Sequence, residues 1–106
     1  MKTAELTGAA LDWAVGTANG DKIILAEEDW NWYSTDWTQA GPIIESYRIT
    51  IQFDGDGIRC DLTTDDGGFF VVFDESSPLI AAMRCYVASR LGDEVELPSV
   101  VEKIGL

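Results

Sequence analysis

The chain has 106 residues, 46% of them hydrophobic and 25% charged, a size and composition that suit one folded domain over residues 1–106 and exclude wholesale disorder. Its 19 acidic residues outnumber the 7 basic ones for a net charge of −12, so contact with phosphate backbones, which needs Lys and Arg to displace counterions, is disfavoured and no direct nucleic-acid binding is expected. There is no histidine, which removes His-based triads and His-built zinc sites. No apolar run approaches the ~18 residues of a membrane span.

In chain order, the first predicted element is an amphipathic helix over residues 4–18, with Leu6, Ala10, Trp13 and Thr17 on one face and Gly20 as its stop. The β-branched run from Lys22 to Ala26 predicts a short buried strand, and the long stretch after it reads as a loop. From Ser46 to Phe53 the alternation is strict, with Tyr47, Ile49, Ile51 and Phe53 on the core side. Ile58, Cys60, Leu62 and Thr64 repeat that pattern after the Asp54-Gly55-Asp56-Gly57 turn. A hairpin with Phe53 opposite Ile58 and Ile51 opposite Cys60 keeps both apolar rows on one face.

Beyond the Asp65–Gly68 turn, carrying the same parity forward puts Phe69, Val71 and Phe73 on the core face, leaving Phe70 and Val72 on the polar outer face in need of cover. Ser77-Pro78 opens a helix over 78–91 that stops at Gly92, and its low polarity predicts burial on two sides. The expected class is α+β: an antiparallel sheet, made of the short first strand plus a three-stranded meander, with two helices packed on one face.

The side chains available for chemistry are sparse. Cys60 and Cys85 come from distant elements and are expected to be reduced and buried. The acidic stretch from Asp54 fails as a calcium loop, because Ile58 takes the fifth position and Arg59 the one that requires glycine. No catalytic residue, metal or cofactor is therefore expected, and the protein is expected not to be an enzyme.

The unusual segment runs from Trp30 to Pro42. Its rings, with Trp32, Tyr33 and Trp37 foremost, sit among Ser34, Thr35, Asp36 and Gln39. Two readings are open. The rings form a binding surface oriented by the neighbouring polar groups, or they form a lid over Phe70 and Val72. Arg84 and Arg90 are the charged residues of the last helix, and each is open to an internal ion pair or, for Arg84, to a ligand contact approached from the aromatic segment.

The stretches Tyr33-Ser34-Thr35-Asp36-Trp37-Thr38-Gln39-Ala40-Gly41-Pro42-Ile43-Ile44-Glu45 and Pro78-Leu79-Ile80-Ala81-Ala82-Met83-Arg84-Cys85-Tyr86-Val87-Ala88-Ser89-Arg90-Leu91-Gly92-Asp93-Glu94-Val95 resemble phage NinX-like proteins. Leu6-Thr7-Gly8-Ala9-Ala10-Leu11-Asp12-Trp13-Ala14-Val15 is similar too, so the resemblance covers most of the chain. It departs mildly where the family has Gly-Gly-Pro and this chain has Ala40-Gly41-Pro42. The resemblance implies a phage or prophage accessory protein acting in the bacterial host cytoplasm, and it supplies no catalytic residue.

The leading functional expectation is a non-enzymatic factor that binds and modulates a host or phage macromolecule, such as a defence component. Its ligand-contacting residues would be Trp32, Tyr33, Ser34, Thr35, Asp36, Trp37, Gln39 and Arg84. A basic protein partner suits the acidic surface, no membrane contact is expected, and a homodimer is compatible with the pattern. The alternative is a binder of a nucleotide-like small molecule stacked on the aromatic segment, and an enzyme of unknown type ranks third.

Overall fold

The computed structural model describes residues 1–21, 32–55, 57–74 and 77–98. The strand expected at Lys22–Ala26, and Trp30 and Asn31 of the aromatic segment, lie outside them. The described residues form three helices, α1 (Gly8–Ala18), α2 (Trp37–Tyr47) and α3 (Pro78–Leu91). They also form three antiparallel strands, β1 (Thr50–Asp54), β2 (Gly57–Thr63) and β3 (Phe69–Asp74), in the order β1-β2-β3. The class is α+β.

α3 organises the molecule. It starts where Ser77 Oγ accepts the Ile80 N–H at 3.1 Å, with Pro78 supplying a helical φ and no N–H to leave orphaned. Leu79, Ala81, Ala82, Met83, Cys85, Tyr86 and Val87 are all buried, because β2 and β3 pack against this helix and so do α1 and α2. Each larger apolar side chain so enclosed contributes about 1.5–3 kcal/mol, which is why a helix with this little amphipathic contrast is stable here.

α1 begins later than its sequence pattern predicts. Thr3–Glu5 form a single 3-10 turn and Leu6 is extended. The Thr3 N–H bonds Asp93 O at 2.8 Å, Thr3 Oγ1 donates to Gly92 O at 2.6 Å, and the Val95 N–H bonds Met1 O at 2.8 Å, so the first residues pair with the segment after α3. The buried row of α1 is Leu11, Ala14, Val15 and Ala18, with Ala10 beside it, while Trp13 is half-buried and Thr17 exposed. Rolling the helix this way sets its small residues against α3, where backbones can approach closely.

α2 occupies a stretch expected to be partly loop and partly strand. Asp36 caps it by accepting the Thr38 N–H at 2.9 Å, and Ala40 and Ile43 are buried. Pro42 lies inside the helix and removes one backbone hydrogen bond, a local penalty overcome by the cap and by packing against α3. Arg48 closes the helix in the left-handed region (φ 53°, ψ 47°), and the Ile49 N–H reaches back to Ile44 O at 3.0 Å. The strand expected from Ser46 therefore starts at Thr50.

The hairpin has the expected register, with Phe53 opposite Ile58 and Ile51 opposite Cys60. Ile58, Cys60 and Leu62 are buried and Ile51 is half-buried. Phe53 remains 76% exposed, since β1, which pairs with β2 alone among the described residues, is barely covered by α3.

β3 has the opposite parity to the one expected. Phe70 pairs with Leu62 and Val72 with Cys60, so these two face the core, and Phe69, Val71 and Phe73 form the outer row. The reversal originates in the turn, which closes on Thr64. The Thr64 N–H bonds Gly68 O at 2.8 Å and the Gly68 N–H bonds Thr64 Oγ1 at 2.8 Å, setting Thr63 opposite Phe69. A Cβ on Gly68 would meet Thr64 Oγ1 at 2.6 Å, so this closure requires glycine.

Cys60 and Cys85 are both buried thiols, and among the described residues neither forms a disulfide. Cys85 Sγ donates to Phe70 O at 3.3 Å. Burial, with smaller contributions from Cys60 and Asp61, pushes its thiol up to about 12. The native protein should therefore resist a thiol reagent at neutral pH and react at both cysteines once denatured, as mass spectrometry of the adducts would show. Fast labelling of both sites in the native state would contradict the packing.

Candidate functional site

Residues 32–36 form a turn clamped at both ends. The Asp36 N–H bonds Trp32 O at 2.9 Å, and the Trp32 N–H is accepted by Gln39 Oε1 at 2.5 Å. Asp36-x-x-Gln39 is thus a variant of the capping box, in which the glutamine side chain reaches past the cap residue to the start of the turn. That spacing is a sequence signal for α2.

Two residues fasten the turn to α1. Tyr33 is buried and its hydroxyl donates to Asp21 Oδ2 at 2.5 Å, while Asn19 Nδ2 donates to the other oxygen of the same carboxylate at 2.9 Å. Ser34 is buried and its N–H donates to Asp12 Oδ1 at 2.7 Å. The Ser34 hydroxyl reaches toward the same carboxylate without good hydrogen-bonding geometry.

The eight residues singled out from the sequence thus divide by position. Tyr33 and Ser34 point inward, and Asp36 and Gln39 build the turn. Trp32 is 61% exposed and Trp37 51% exposed, on either side of the turn, with Thr35 exposed between them. Arg84 donates from Nε to Leu6 O at 2.8 Å, tying α3 to the approach to α1. The lid over Phe70 and Val72 is not formed by the described part of the segment. It is bound to α1 and packs with α3, and those two side chains already face the core.

Burial pushes the Asp12 carboxyl above its ordinary 3.8, and the Ser34 N–H opposes that shift only in part. A folded-state value above the unfolded one means that the fold binds more protons in the window between them. Asp12 therefore contributes a loss of stability as pH rises from 3.8 through the raised value. Asp12→Asn keeps an acceptor for Ser34 and removes the charge. The variant should be at least as stable as the parent near pH 7, and its advantage should shrink as pH falls through that window. Urea unfolding between about pH 7 and pH 4 measures this, and an advantage that grows on acidification would contradict it.

A second feature was not legible as a site in the sequence. A cleft of about 750 Å³ lies between the end of α2, the strands and the last turn of α3, bordered by Tyr47, Arg48, Asp61, Asp65, Asp66 and Arg90. The Arg90 guanidinium lies 5.7 Å from the Tyr47 ring centroid, and Asp61 pairs with Arg59 at 3.1 Å. Among the described residues, neither Arg48 nor Arg90 meets a carboxylate within ion-pair distance, despite the large acidic excess. The Asp66 carboxyl is held below its usual range by the Thr64 hydroxyl and the Gly68 N–H. A smaller hollow of about 150 Å³, lined by Tyr33, Gln39, Pro42, Ser46 and Tyr47, borders the cleft and reaches the aromatic turn.

Among the described residues no group of His, Cys, Asp and Glu is placed to hold a metal ion, and no helix is long and apolar enough to cross a membrane. Fold and surface together define a small acidic α+β protein that presents two indoles on a hydrogen-bonded turn, and an arginine-bearing cleft joined to that turn by the smaller hollow. The family model described as Bacteriophage P22, NinX matches residues 2–90, and the chain belongs to that family of phage proteins. No curated protein is significantly similar to it.

Proposed function

We propose that this phage accessory protein acts by binding rather than by catalysis, and that Trp32 and Trp37 anchor a protein partner with a basic surface in the bacterial cytoplasm. The observation that carries this reading is the exposure of the two indoles, 61% and 51%, on a turn whose neighbours Tyr33 and Ser34 are buried. Large rigid aromatic side chains on a preorganised support lose little conformational entropy on docking, which is what interface anchors require. The net charge of −12 favours a basic partner and speeds its approach. Modulation of that partner, as in countering a host defence, would follow from occupying its surface.

Affinity capture from phage-infected bacteria tests this. The parent should retain a partner that is released as salt is raised, and Trp32→Ala with Trp37→Ala should retain none. Equal capture by parent and double variant would defeat the reading.

A second reading rests on Arg48 and Arg90 at the cleft: a small anionic ligand, nucleotide-like in size, bound there. Arg48 holds a left-handed conformation that glycine or asparagine adopts at lower cost, and its exposed side chain borders the cleft from there. A nucleotide that raises the melting temperature of the parent but not of Arg48→Ala would favour this reading.

A further inference from the structure

The cleft between the helix ends and the sheet has walls of opposite charge. Arg48, which closes α2, and Arg90, in the last turn of α3, belong to one wall. Asp61 on β2 and Asp65 and Asp66 in the turn after it belong to the other. Asp61 is paired with Arg59, but among the described residues Arg48, Arg90, Asp65 and Asp66 make no ion pair. The Thr64 hydroxyl and the Gly68 N–H both bond Oδ1 of Asp66, so its Oδ2 is left for another donor. Two guanidiniums and two carboxylates thus border about 750 Å³ of space without meeting across it.

This lining selects the ligand. An anion alone gains from the arginines but is opposed by the aspartates and by the net charge of −12, and a cation alone meets the two guanidiniums. A ligand with an anion at one end and a cation at the other satisfies both walls, and its zero net charge escapes the repulsion of the whole chain. Tyr47, which also lines the cleft, has Tyr86 with ring centroids 4.9 Å apart and the Arg90 guanidinium 5.7 Å from its own centroid, so its ring is already occupied and a nucleobase gains little there. Between the walls stand the hydroxyls of Ser46, Thr50 and Thr63, which both donate and accept and so match backbone amides.

We propose that the cleft binds a short peptide with both termini free, its C-terminal carboxylate held by Arg48 and Arg90 and its N-terminal ammonium by Asp65 and Asp66. The size agrees: a cleft of about 750 Å³ is ~9 Å across if its dimensions are equal, and three extended residues span ~10 Å. The proposal rests on the second reading above, that the cleft takes a ligand through an anionic group on Arg48 and Arg90, and names the rest of that ligand.

Calorimetric titration of the full chain at low salt tests it with triglycine, N-acetyl-triglycine and triglycinamide. Triglycine should bind at one site per chain, and blocking either terminus should weaken it by ~5-fold or more. Arg48→Asn, which suits the left-handed backbone, should weaken triglycine and N-acetyl-triglycine and leave triglycinamide unchanged. Asp65→Asn should weaken triglycine and triglycinamide and leave N-acetyl-triglycine unchanged. Both side chains are exposed, so the fold is not at stake, and the blocked peptides test each wall without any substitution. Binding of either blocked form as tight as that of triglycine would overturn the proposal. AMP titrated alongside separates it from the reading beneath it. Binding of AMP without triglycine would overturn the peptide and keep the arginine site, and binding of neither would overturn both.

Discussion

Replacing Tyr86 with alanine should lower the folding free energy by ~3–5 kcal/mol, whereas replacing it with phenylalanine should leave stability unchanged or raise it by about 1 kcal/mol. Tyr86 is completely buried in α3 and is the largest fully enclosed side chain among the described residues. Its ring packs on Tyr47 with centroids 4.9 Å apart and planes tilted by 55°, joining α3 to the end of α2. Truncation removes that contact and opens a cavity where α1, α2 and the sheet all converge on α3. A domain of this size has only ~5–15 kcal/mol in total, so the alanine variant should be largely unfolded on mild heating.

The phenylalanine variant tests the hydroxyl alone. That group is buried and, although it lies toward the Tyr47 side chain, makes no hydrogen bond of good geometry among the described residues; burial first, then Tyr47, pushes its ionisation well above the usual tyrosine range. Removing an unpaired buried hydroxyl relieves a desolvation cost and leaves the ring packing intact. Urea unfolding followed by tryptophan fluorescence measures both variants. If phenylalanine proved clearly less stable than tyrosine, the hydroxyl would have to be making a bond in solution.

The second large effect is on association. Alanine at Trp32 or Trp37 should weaken partner binding by ~2 kcal/mol or more, about 30-fold in affinity, while changing stability by less than about 1 kcal/mol. Both rings are more than half exposed, so little core contact is lost, and alanine suits the first turn of α2 where Trp37 sits. Tyr33→Ala is the internal contrast. It removes a buried ring and its bond to Asp21, so it should lower the melting temperature strongly and affect binding only through loss of the fold. Calorimetric melting and titration with the captured partner separate the three variants. A large drop in melting temperature for Trp37→Ala with binding intact would make the ring structural.

The legible parts of the candidate site were its residue types and its place in the chain. The concentration of rings and polar groups from Trp30 to Pro42 marked the segment, because that much aromatic area in a connecting stretch demands either burial or a partner. Which ring does which could not be read, since Trp32, Tyr33 and Trp37 are chemically alike at this level. The acceptors Asp12 and Asp21 decide it, by drawing Tyr33 and the Ser34 backbone toward α1. The cleft was invisible for a related reason. Arg48, Asp66 and Arg90 belong to three different elements and meet only through the packing of α3 beside the hairpin.

By itself, the sequence determined the features whose signals are local. Ser77-Pro78 and Gly92 delimit α3, its apolar faces require burial on two sides, and the strict alternation in β1 and β2 permits one hairpin register. It likewise placed both cysteines in the interior. Tertiary structure decided α2 and β3. In α2, Gly41-Pro42 argues locally for a turn, and a helix wins because Asp36 caps it while Ala40 and Ile43 gain a surface on α3. In β3, residues 69–73 are all apolar, so a period of two carries no information about which side is inside. The closure of the preceding turn on Thr64 and Gly68 makes that choice, sending Phe70 and Val72 to the core and leaving Phe69 and Phe73 on the surface.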